Sequence, residues 1–101
     1  MFDKDGYPTK EALQKIKNWD SQDKAGLVEY LQEIWHYPED IILTPYVKNP
    51  TDDGCNLILH TMGWSGNESV IFFLEKNIFW FFHWMKSLRG GHYYFRVPIK
   101  E

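Results

Sequence analysis

The sequence predicts one α+β domain spanning residues 1–101, with three helices and a sheet of about four strands, antiparallel or mixed, in the order ααββαββ. Three observations carry that prediction. Two stretches with helical spacing of apolar residues open the chain, and two strand-like runs divided by a turn follow. After a third helical stretch, a strand pair joined by Arg89-Gly90-Gly91 closes it.

Thr9 after Pro8 reads as the cap of a helix running to about Trp19, with Glu11 in the first turn and Leu13, Ile16 and Trp19 on one stripe. A second helix runs from near Ser21 to about His36 on Leu27, Tyr30, Leu31, Ile34 and Trp35, and Tyr37-Pro38 stops it. "IILTPYV" is a strand placed at an edge by Pro45, "KNPTDDG" a turn, and "CNLILHTM" its antiparallel partner. Residues 65–77 read as a helix and "IFWFFHWMKSL" as a long strand, with "RGG" turning it into "HYYFRVPI". Period two sets Ile78, Trp80, Phe82 and Trp84 against Phe79, Phe81, His83 and Met85. Both faces of that strand are apolar, which calls for helices on both sides, an aromatic ligand floor or a second subunit. The helices are expected mainly on one face of the sheet.

Eighteen per cent of the residues are Phe, Trp or Tyr, more rings than a core of this size requires. Some are therefore expected to serve recognition. The net charge is −3, yet residues 78–101 carry Lys86, Arg89, Arg96 and Lys100 against Glu101 alone, leaving the carboxylate excess to the first 77 residues. An acidic chain of this kind is not a general nucleic-acid binder, which needs many clustered cations. The single cysteine, Cys55, allows no internal disulfide, and the longest greasy run, "IFWFFHWM", falls well short of the roughly 20 residues of a membrane span. A cytoplasmic protein without membrane insertion is the expectation.

The junction "HTMGWSGNES" breaks the apolar pattern between a strand and a helix. Ser65 and Glu68 have the spacing of a capping box, and Gly63 and Gly66 suit turn geometry. That leaves Trp64 and Asn67 without a purely structural role. A glycine-flanked helix start also brings backbone amides close to an anion, although the segment is neither a Walker loop nor a dinucleotide fingerprint. At the other end of the chain, Arg89 at a hairpin tip presents a planar fork suited to phosphate, with His92 and Tyr94 following on one face. If loop and tip converge, Trp64 with Trp80 or Trp84 stacks a base, Arg89 with the amides of Ser65, Gly66 and Asn67 holds phosphate, and His92 and Glu68 meet ribose or base.

Catalytic readings are weaker. His60, His92 and Glu68 could support acid–base chemistry, but no metal-binding spacing accompanies the four histidines, and neither a metal nor a cofactor is expected. "GWSGN" lacks the second flanking glycine of a nucleophile elbow.

The segments "HTMGWSGNESVI" and "FWFFHWMKSLRGGHYYFRV", preceded by "YPTKEALQKIKNW" and "LVEYLQEIW", resemble a family of small uncharacterised bacterial and phage proteins over nearly the whole chain. The resemblance implies that Trp64, Ser65, Gly66, Asn67, Glu68, Arg89, Gly90, Gly91 and His92 belong to signature segments, and it implies no activity. The leading expectation is a phage-type binding protein that sequesters a nucleotide-derived small molecule without turning it over, in the manner of an anti-defence sponge. A protein-interaction module acting through acidic helices and exposed rings is the alternative, and a small hydrolase or nuclease a weaker one. A homodimer would serve the doubly apolar third strand.

Overall fold

The computed structural model describes residues 1–49 and 52–98. Helices α1 (Lys10–Lys17) and α2 (Lys24–Ile34) lead through a short 3-10 turn (Pro38–Asp40) into β1 (Ile42–Asn49) and β2 (Asp52–His60). Helices α3 (Ser65–Leu74) and α4 (Ile78–His83) then precede β3 (Trp84–Leu88) and β4 (His92–Pro98). The strands form one antiparallel sheet in the order β1-β2-β4-β3, so the α+β class is as the sequence predicts. Of the turn expected at "KNPTDDG", Pro50 and Thr51 lie outside the described residues.

Local chemistry explains most boundaries. Thr9 caps α1 by accepting from the Ala12 amide, and Asp23 caps α2 by accepting from Gly26, which moves the start of α2 to Lys24. Tyr37, held before Pro38, takes a left-handed conformation (φ 63°) and turns the chain out of α2. Pro45 sits on β1, an outer strand, where a missing amide does least harm. At the other end, Leu88 pairs with His92 across a three-residue tip in which Gly90 and Gly91 both have positive φ.

Two expectations are corrected. Residues 78–88 are not one strand, because Ile78–His83 is helical and only Trp84–Leu88 joins the sheet. The switch is chemical: Asn77 accepts from the Phe79 amide as the cap of α4, and a run that is apolar at every position satisfies helical and strand periods alike. Nor do Ser65 and Glu68 make a capping box. Trp64 occupies the cap position of α3 with no side-chain bond, Ser65 is already helical, and its carbonyl accepts from the Ser69 hydroxyl.

The core lies between the helices and one face of the sheet. Leu57 and Leu59 of β2 and Phe95 and Val97 of β4 are buried with Ile16, Leu27, Leu31, Leu74 and Phe79 from the four helices. Each such side chain contributes about 1.5–3 kcal/mol relative to exposure. Asn77 ties the helical layer together, donating at 2.9 Å each to the carbonyls of Ile16, in the last turn of α1, and Trp19, just beyond it. On the opposite face the alternate residues Thr44, Asn56, Ile58, Tyr94 and Arg96 carry no helix, so the sheet is covered on one side, as expected.

Candidate functional site

The outer face of the sheet is organised in rows by the strand register. Thr44, Asn56 and Arg96 align across β1, β2 and β4; Ile42, Ile58, Tyr94 and Lys86 align across all four strands; His60, His92 and Leu88 form the third row. This antiparallel register is what puts these side chains shoulder to shoulder. Asn56 donates to the Thr44 hydroxyl at 3.2 Å and accepts from Arg96 Nε at 3.4 Å, while the Lys86 ammonium lies 4.8 Å from the centre of the Tyr94 ring. These residues, with Met85 and Phe95, line an open groove of about 430 Å³, within the range of small-molecule sites. The register irregularity between Trp84 and Lys86 accommodates the extra residue, Met85, beside the groove.

One end of this face closes on the histidine row. His60 and His92 oppose each other in register, and their Nδ1 atoms lie 2.6 Å apart. One ring nitrogen must donate and the other accept, so the two rings hold complementary tautomers. The Trp35 indole donates to the His60 carbonyl at 3.1 Å, anchoring this end of β2 to the end of α2.

The junction segment and the hairpin tip, whose proximity the sequence left open, meet at Thr61 and Gly91. The Thr61 amide donates to the Gly91 carbonyl at 3.0 Å, and Gly91 packs so closely on Thr61 that a Cβ there would overlap the Thr61 hydroxyl. The strand order is responsible, since β2 ends where β4 begins.

Within that convergence the predicted residues divide among three places. Trp64 stacks on the chain's own rings, Tyr7 at 5.0 Å and His36 at 4.1 Å, and Gly66 is buried against it, leaving no room for a Cβ. Asn67 is fully buried: its carboxamide accepts from the His36 amide at 2.8 Å and donates to the His36 carbonyl at 2.9 Å. Both residues that lacked a structural role in the sequence have one here. Ser65 and Glu68 are exposed at the start of α3.

Trp80 and Trp84 occupy the helical side of the sheet at its β3 edge. Trp80 packs edge-on against Tyr93 and Phe95 and stacks on Trp84 at 6.2 Å, and the Trp84 indole donates to Ser87. Tyr93 points to the same side, where burial first, and then the carboxylates of Glu75 and Glu68, raise its phenol above the ordinary range.

Only His92 and Tyr94 remain with the outer face, and Arg89 is exposed on the hairpin tip that follows Leu88. The structure adds Thr44, Asn56, Ile58, Met85, Lys86 and Arg96. A signal for two of these was present in the polar positions that alternate with buried neighbours, Asn56 beside Leu57 and Arg96 beside Phe95. Cys55 is half-buried beside the core, and burial raises its thiol above the usual range, which keeps it in the less reactive neutral form. Among the described residues no three His, Cys, Asp or Glu side chains gather as a metal site, and no helix is long and apolar enough to cross a membrane. Comparison with family models, with curated proteins and with solved structures gave no match for this chain.

Proposed function

We propose that this is a binding protein for an anionic, ring-bearing small molecule of the nucleotide class, held in the groove on the outer sheet face. The observation that carries the reading is the chemistry of the lining. The Tyr94 ring is flanked by Lys86 and Arg96, with Thr44 and Asn56 beside them, and among the described residues no carboxylate lines the groove. A ring offers a stacking surface of about 1–3 kcal/mol per base, the two cations suit phosphate, and the amide and hydroxyl suit base or sugar edges. Arg89 extends the cationic side past the histidine row.

Relative to the expectation from sequence, the stacking ring becomes Tyr94, already a candidate, in place of Trp64 with Trp80 or Trp84, and the cations become Lys86 and Arg96 as well as Arg89. In the phage or bacterial setting that the family resemblance implies, such a protein would hold a nucleotide signal out of circulation and leave it intact.

The test is thermal unfolding with mononucleotides, cyclic dinucleotides and ADP-ribose, followed by chromatography of each compound. A ligand at 100 times its dissociation constant adds about 2.7 kcal/mol, a rise of several degrees for a domain of this size. The rise should vanish in Tyr94→Ala and fall in Lys86→Ala, with the compound recovered unchanged. A flat response across the panel, or one that Tyr94→Ala leaves intact, rejects the proposed site; a consumed compound makes the protein an enzyme.

A further inference from the structure

The α4–β3 edge carries more exposed apolar surface than the rest of the fold accounts for. Phe79 of α4 is fully buried, yet Ile78, Phe81 and Phe82, which share the opposite side of that helix, are 54%, 81% and 63% exposed. The chain passes from α4 straight into β3, where Trp84, Met85 and Leu88 are exposed as well. Ile78, Phe81, Phe82 and Trp84 lie on the helical side of this edge and Met85 and Leu88 on the groove side, so apolar side chains flank β3 on both faces, where a strand added to its edge would cover them.

We propose that this edge is a homodimer interface in which β3 of one copy pairs with β3 of a second copy and the α4 rings pack across the join. Two features select a second copy as the occupant. First, β3 is an outer strand, so among the described residues no strand pairs with its free side, and what complements a bare edge is another edge. Antiparallel pairing of a strand with itself has twofold symmetry, which lets a single patch cover its own copy and closes the assembly at two. Second, the two edges of the sheet differ: β1 carries Pro45, which blunts pairing, whereas β3 (Trp84–Leu88) contains no proline, its one charge, Lys86, lies over the Tyr94 ring, and its irregularity is confined to Met85.

The resulting sheet has eight strands. The grooves of the two copies lie on either side of the join, because Met85 and Lys86 belong both to β3 and to the groove lining. The interface does not depend on what the groove binds.

The experiment is sedimentation of the full chain over a range of concentrations, with amide hydrogen exchange along β3. The expected mass is twice 12.1 kDa, with outward-facing β3 amides protected. The double variant Phe81→Glu, Phe82→Glu should sediment as a monomer with an unchanged far-ultraviolet spectrum and lose the β3 protection, since both rings are exposed in the single chain. Wild-type chain that stays monomeric at every concentration overturns the proposal, as does a dimer that survives both substitutions. A monomer that instead floats with phosphatidylserine vesicles, and stops doing so in the double variant, assigns the patch to a lipid surface and also overturns it.

Discussion

The Asn67 carboxamide satisfies both backbone groups of His36, accepting from its amide and donating to its carbonyl across 31 residues of sequence. This pair of bonds holds the left-handed Tyr37 corner against the start of α3 and places the His36 ring under Trp64. Asn67→Ala leaves two backbone groups without a side-chain partner in a fully buried position. It should cost about 2–4 kcal/mol and lower the melting temperature by roughly 10–25 °C, measured by thermal denaturation. Asn67→Asp should be no better, because it removes the donor and buries a charge.

Asn77 makes the corresponding link between α1 and α4. Replacing it with alanine removes the α4 cap and the bonds to the Ile16 and Trp19 carbonyls together. The expected loss is about 2–3 kcal/mol, read from the urea midpoint. Asn77→Ser, which restores a capping oxygen but not the amide donor, should recover part of it.

The two tip glycines should respond differently to alanine. Gly90 (φ 92°) has only the His92 ring near the added methyl, so Gly90→Ala costs about 1 kcal/mol for the left-handed backbone. Gly91→Ala carries that cost and also collides with the buried Thr61 hydroxyl, for a total of about 2–4 kcal/mol. Equal melting temperatures for the two variants would mean that the tip does not rest on Thr61.

Two phenols should titrate late. Burial first, and Glu33 second, raise Tyr30, whose hydroxyl donates to the Ala12 carbonyl; burial, then Glu75 and Glu68, raise Tyr93. A raised folded value means the native state keeps its proton where the unfolded chain has lost it. The associated stability is therefore complete below the ordinary phenol range near pH 10 and is lost as pH rises through the folded values. Absorbance titration should show these tyrosines ionising after the exposed ones, with the urea midpoint falling over the same interval. Glu75→Gln should bring Tyr93 part of the way back and leave Tyr30 unmoved.

Much of the fold was legible because it rests on local chemistry. Thr9 caps a helix, Pro45 marks an edge and Arg89-Gly90-Gly91 makes a hairpin through side-chain and backbone preferences that act within a few residues. The α4 segment was not, because "IFWFFH" is apolar at every position and carries no period to read. The one usable cue was Asn77, whose capping role competes with a helix-internal one. At the site, Trp64 and Asn67 looked unassigned because their partners, Tyr7 and His36, are distant in sequence. The groove escaped for a related reason: rows such as Thr44, Asn56 and Arg96 exist only once strand order and register are known.

The strand order β1-β2-β4-β3 has a kinetic consequence. The sheet is two hairpins, each closed by a short loop, joined along a central seam whose nearest partners, His60 and His92, are 32 residues apart. Hairpins form in about 1–10 μs, whereas the seam must first close the long excursion through α3 and α4 against its loop entropy. Folding speed is thus governed by the meeting of β2 and β4. Truncating Leu57 or Phe95 at that seam should slow refolding, while truncating the outer strands should chiefly hasten unfolding. The same seam is where two chains, caught half-folded, would exchange their C-terminal hairpins.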